Sequence, residues 1–124
     1  MRLLLDTHVV LWQLSGEREL SAPARDAIEA ADDLLLSAVS FAEIGIKAAV
    51  GKLDVPDDLQ GKVSDAGVRV LALSPAHGLH VSHLPVHHRD PFDRLIIAQA
   101  IMERLTVVTA DTRFQAYGIR LLAT

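Results

Sequence analysis

Five short apolar runs constrain this chain most: Arg2 to Leu5, Leu34 to Leu36, Val68 to Leu73, Thr106 to Thr109 and Ile119 to Leu122. Each has strand length, and the residues between them follow helical patterns. A continuous apolar run marks a strand covered on both faces, and strands alternating with helices build βαβ units. The expected fold is α/β: one domain over residues 1–124, a central, mostly parallel sheet of four to five strands flanked by helices. Of the 124 residues 50% are apolar, enough for one buried core.

Helix signals fill the gaps. Ser21-Ala22-Pro23 opens one helix, to about Ala31, with proline in its first turn. Ser37 or Ser40 opens the next, Ala38 to Val50, which Gly51 closes from the C′ position. A weaker helix covers Pro56 to Ala66 and is interrupted by Gly61; Ser74-Pro75 starts a short one. Asp90-Pro91 starts the strongest, through Glu103, and Asp111 to Phe114 reads as a helical turn. The sequence has no cysteine, which excludes disulfides and thiolate metal sites. Nothing resembles a signal peptide or a membrane span, so a cytoplasmic location and no membrane partner are expected.

The acids fall at telling places. Asp6 ends the first apolar run, and in an open α/β sheet ligands sit in the crevice outside the carboxyl ends of the strands. Asp111 repeats the pattern after Thr106 to Thr109. Asp90 stands at an N-cap, Pro91 at N1 and Asp93 at N3, where carboxylates meet free N–H groups and the helix dipole. Asp90 reads as a cap that also offers oxygen to a cation, while Asp93 borders the apolar face of Ile96, Ile97 and Ala100. Glu43 shares a rough stripe with Val39, Ile46 and Val50, so it needs a partner: Lys47 four residues on, or a metal.

Strand-to-helix connections bring these acids to one sheet edge. Four hard oxygen donors at one point cannot all stay ionised without a cation. With carboxylates and no thiolate, that cation is Mg²⁺ or Mn²⁺. The net charge of −4 does not exclude a phosphate partner. Sixteen acids less Asp6, Glu43, Asp90, Asp93 and Asp111 leaves eleven, one fewer than the twelve Lys and Arg. Among the six histidines, His77, His80 and His83 fan across a helix instead of sharing a tight face, which sets a zinc site aside. His8 is read as a phosphate contact or as packing under the first helix. A phosphoryl-acceptor domain would want a late Lys, and none lies beyond Lys62; an aspartyl phosphatase would want Asp where His8 stands.

Four segments together resemble the PIN-domain ribonucleases, and more narrowly the VapC-type toxins of prokaryotic toxin–antitoxin pairs. They are Leu5-Asp6-Thr7-His8, Ser40 to Ile44 with Lys47 and Gly51-Lys52-Leu53, His88 to Ala100, and Val108 to Phe114. The resemblance covers essentially the whole chain, with the motifs in the family's order. It implies that Asp6, Glu43, Asp93 and Asp111 are the catalytic quartet holding Mg²⁺ or Mn²⁺, with Asp93 a better match than Asp90. Ser40 falls where the family often has a hydroxyl near the acids, and a frequent Trp before the helix Glu is Ala42 here. An RNA substrate, a cognate antitoxin and a homodimer are implied in the same way. Ser40, Arg94 and Arg113 are candidate substrate contacts, joined by Lys47 and Arg89. The alternative is a catalytically silent PIN-like protein that binds RNA or scaffolds, which would be expected to have lost quartet members; this chain keeps all four.

Overall fold

A computed structural model describes all 124 residues, Met1–Thr124. Five parallel strands form one sheet: β1 (Arg2–Leu5), β2 (Asp33–Ser37), β3 (Arg69–Leu71), β4 (Thr106–Thr109) and β5 (Leu121–Ala123). Their spatial order is β3-β2-β1-β4-β5, so the chain reverses its direction of travel between β1 and β4. A crevice opens at such a switch point, outside the carboxyl ends of the two strands. Asp6 and Asp111 lie just beyond those ends.

β1 is central, which is why Leu3, Leu4 and Leu5 have no exposed surface. The alternation of strand side chains splits them between two cores. Leu3 and Leu5 pack with Val9, Val10 and Leu11 of α1 (Thr7–Ser15), Ala24 of α2 (Ala22–Ala30) and Val63 of α4 (Leu59–Asp65). Leu4 packs with Ile96, Ile97 and Ala100 of α6 (Pro91–Glu103) and with Phe114. Truncating any of these leucines to alanine costs about 2–5 kcal/mol. The helix α3 (Ala38–Ala49) contributes Val39 to one core and Ile44 to the other. Glu43, on the same buried side, lines a cavity at the carboxyl edge.

Helix ends follow the sequence signals. Ser37 caps α3 through the Val39 N–H at 3.0 Å, which decides between Ser37 and Ser40. Gly51 takes φ +73°, and the Gly51 and Lys52 N–H groups close onto Ala48 and Lys47 carbonyls at 3.0 and 2.9 Å. That paired closure is a Schellman ending, for which glycine alone has no Cβ penalty. The short helix after Ser74 is α5 (Pro75–His80), with Ser74 and His77 forming a capping box.

Three expectations shift. The run Val68 to Leu73 yields a strand of only three residues, because β3 lies at an edge; Val70 and Leu73 are exposed. The helix expected from Pro56 begins at Leu59, capped by Asp58, and Gly61 leaves room for that carboxylate. The stripe proposed for α3 does not hold: Ile46 and Val50 are exposed, and the buried residues are Val39, Ser40, Glu43 and Ile44. Ile46 is a sixth of a turn from Glu43 on the side away from Ile44, and Val50 lies past the last helical turn.

Candidate metal centre at the carboxyl edge

Helix starts and strand ends deliver the acids together. Asp6 caps α1, accepting the Thr7 N–H at Oδ1 (2.8 Å), while Oδ2 accepts the Thr109 hydroxyl (2.8 Å). The Thr109 hydroxyl oxygen also accepts the Asp111 N–H at 3.0 Å, so one side chain at the end of β4 ties two acids together. Asp90 caps α6, its Oδ1 accepting from Phe92 and Asp93 N–H groups at 2.9 and 3.1 Å. Asp111 caps the 3-10 turn Thr112–Tyr117 through the Arg113 N–H at 3.0 Å. Asp6, Glu43, Asp90, Asp93 and Asp111 line a single cavity of about 330 Å³, together with His8, Trp12, Lys47 and Arg113.

Burial makes this cluster costly for its charges. Asp6, Glu43 and Asp93 are 6%, 3% and 8% exposed. Burial pushes the Asp6 carboxyl above its ordinary range, against the opposing hydrogen bonds of Thr109 and Thr7. Asp93 is pushed up to about 6, chiefly by burial and further by Asp90, Asp6 and Glu43, while His88 pulls the other way. Asp111 is held below the ordinary range by Arg113, whose guanidinium grips both carboxylate oxygens at 2.7–3.2 Å. Lys47 bonds Oε2 of Glu43, which raises the Lys47 pKa. Oε1 of Glu43 is buried without a hydrogen-bond partner. Both readings of Glu43 thus apply, one to each oxygen. A buried carboxylate oxygen with no donor is strongly unfavourable by itself, and the all-oxygen donor set around it suits a hard divalent cation.

The structure places the expected substrate contacts differently. Ser40 has no exposed surface and does not line the cavity; its Oγ accepts the Thr7 hydroxyl at 2.7 Å, bracing α1 against α3. Ser40 therefore presents no surface to the cavity. Arg94 is also no free cation. Its guanidinium donates to the carbonyls of Val81, Leu84, Pro85 and His88 and to the Tyr117 hydroxyl, at 2.9–3.5 Å. It clamps the segment leading into α6. Arg113 and Lys47 line the cavity, Arg113 with an exposed side chain; Arg89 is exposed and adjoins the lining residue Asp90 in sequence. His8 is exposed at the rim, its ring 6.0 Å from that of Trp12. His77 lies elsewhere, buried on Glu103 at 2.8 Å.

Two site residues escaped the reading of the sequence. Thr109 carried a signal only as the polar end of a strand. His88, buried, has Nε2 2.6 Å from Asp93 Oδ2, and its ligating atom and those of Asp93 and Asp111 lie within 4.8 Å of one another. Its signal was its place two residues before the cap of α6.

A parallel sheet with buried acids at its switch point defines a class of acid-centred α/β domain. The chain belongs to the PIN domain family, whose model matches residues 3–119. It is 32% identical over 117 residues to Ribonuclease VapC22 of Mycobacterium tuberculosis, covering 92% of this chain and 90% of that protein. The fold matches VapBC2 of Rickettsia felis bound to a promoter DNA fragment, with a TM-score of 0.74 at 17% identity over 99% of this chain and 98% of that one. It also matches DNA-bound VapBC of Salmonella typhimurium, with a TM-score of 0.71 at 20% identity over 99% and 98%.

Proposed function

We propose that this protein is a metal-dependent endoribonuclease, the toxin of a toxin–antitoxin pair, restrained by a cognate antitoxin. The observation that carries the reading is Oε1 of Glu43, buried and unpartnered on a side chain that shares one cavity with Asp6, Asp93 and Asp111. Those four carboxylates would hold Mg²⁺ or Mn²⁺. Held by these residues, such a cation would lower the pKa of water and offset the charge of a phosphodiester under attack. Asp6 is pinned for that role by Thr7 and Thr109. Arg113, on the outer side of Asp111, is the cation best exposed to take a phosphate oxygen.

RNA as substrate and the antitoxin as partner draw support from the relative called a ribonuclease and from fold neighbours that include toxin–antitoxin complexes. The homodimer rests on the likeness to the VapC-type toxins; an apolar recess of about 170 Å³ lined by Ala38, Val39, Ala42, Leu73, Phe92 and Leu95 is one place for a second copy to cover. Light scattering on the purified chain tests it: a monomer at micromolar concentration counts against the dimer. The activity test is cleavage of single-stranded RNA with Mg²⁺ or Mn²⁺, by wild type and by Asp6→Asn. Cleavage by wild type alone, stopped by chelation, is expected. Equal cleavage by both proteins overturns the assignment.

A further inference from the structure

We infer that His88 is a positioning residue for this centre: it holds Asp93 by Oδ2, so that Oδ1 is presented to the cavity. The inference rests on the metal-centre reading above. The His88 and Asp93 side chains are both buried, with Nε2 and Oδ2 2.6 Å apart, and Asp93 lines the cavity while His88 does not. Oδ1 of Asp93 makes no hydrogen bond.

The ring's other nitrogen fixes the direction of the bond. The backbone N–H of Asp90 points at Nδ1 from 3.5 Å, which makes Nδ1 the lone-pair nitrogen. The proton then sits on Nε2, which donates to Asp93. A protonated Nε2 does not ligate a metal. Proximity to Asp93 and Asp111 is therefore no sign of a fourth ligand, despite ligating atoms within 4.8 Å. Ring and backbone are both fixed. Phe114, fully buried, lies 6.4 Å away ring to ring. The His88 carbonyl accepts from the Tyr117 hydroxyl at 3.3 Å and from Arg94 at 3.5 Å. Partners that orient a ligating carboxylate typically change metal affinity by about 10–100-fold when removed.

The test is Mn²⁺ titration followed by the electron paramagnetic resonance of the free ion, on the full chain. Wild type, His88→Ala, His88→Gln and Asp6→Asn are compared, each checked for a native circular dichroism spectrum. Gln keeps an N–H donor on a side chain of similar reach. Expected is a loss of affinity of about 10–100-fold in H88A and recovery to within about threefold of wild type in H88Q. No histidine nitrogen coupling is expected in the pulsed spectrum of bound Mn²⁺. Wild-type affinity in H88A overturns the inference, as does an H88Q as weak as H88A or a nitrogen coupling in the wild type. Failure of the metal-centre reading looks different: wild type and Asp6→Asn then bind Mn²⁺ equally, or neither binds, whatever His88 does.

Discussion

At the amino edge of the sheet a cavity of about 470 Å³ lies between the end of α6 and the turn into β5, lined mainly by Ala100, Ile101, Arg104, Leu105, Tyr117 and Ile119. The acid-lined cavity at the carboxyl edge is smaller, about 330 Å³. The roomier one holds no carboxylate, and its charges are the two arginines Arg104 and Arg120. Connectivity accounts for the difference. In a parallel sheet every strand ends, and the helix after it begins, at the same edge. Asp6, Ser37, Ser74, Asp90 and Asp111 are all caps. Oxygen-bearing side chains collect there because free N–H groups need acceptors. The amino edge collects helix C-termini, whose carbonyls are closed by backbone, as where Leu105 N–H meets Ala100. Chemistry goes to the edge with the caps, independent of cavity volume.

The sharpest way to break this contrast is one substitution at each edge. Glu43→Gln is expected to lower the single-turnover rate of metal-dependent RNA cleavage by about 10²–10³-fold, or about 3–4 kcal/mol. Arg120→Ala, at the amino edge, should stay within about twofold of wild type. A comparable loss at Arg120 would mean that the amino-edge cavity also serves the substrate.

The carboxyl edge should also register in stability. Asp93 is raised to about 6 by burial, from an ordinary 3.8. Its contribution is fully present below about pH 3.8 and is lost as pH rises through 6, because the folded chain holds a proton that the unfolded chain releases. The loss approaches about 3 kcal/mol at most for a shift of this size. Asp6, raised by burial as well, acts in the same direction. Metal-free protein should therefore melt lower at pH 7.5 than at pH 5. Mn²⁺ should flatten that slope, and Asp93→Asn should remove most of it. A metal-free melting temperature that rises across this range would contradict the burial argument.

Arg94 and Arg113 sharpen the contrast within the edge itself. Arg94→Ala removes a charged donor from several carbonyls and should cost about 2 kcal/mol in chemical denaturation. Arg113→Ala, exposed, should leave the denaturation midpoint unmoved and weaken binding of uncleavable RNA instead. From sequence the two arginines looked alike, each following an acid by one or two residues. What separates them is the closing of residues 81–88 over α6, a tertiary event with no local pattern. The same cause hid His88, whose partner is fixed by that closure. Asp6, Asp90, Asp93 and Asp111 were legible because caps and strand ends are local features with local residue preferences. Glu43 was legible as a charge on a helix, but its face was misjudged: Ile46 and Val50 look like packing residues, yet α3 turns them away from both cores. Periodicity gives the angle between residues and leaves open which angle faces the sheet.

The smallest effect concerns the amino edge, where the strain sits far from the acids. Arg104 takes φ +56° at the end of α6, a left-handed conformation in a residue with a Cβ. That costs about 1–2 kcal/mol. Arg104→Gly removes it, and the extra freedom glycine gives the unfolded chain offsets about 0.5–1 kcal/mol. The net is a gain of about 0.5–1 kcal/mol, a rise in melting temperature of about 2–4 °C for a domain of this size. Because the side chain is exposed and makes no hydrogen bond, the cleavage rate should not change. If the glycine variant melts higher but cleaves more slowly, Arg104 contributes to the substrate path and the two edges are coupled. If it melts lower, the arginine makes a contact worth more than its backbone strain, which would give the amino edge a purpose of its own.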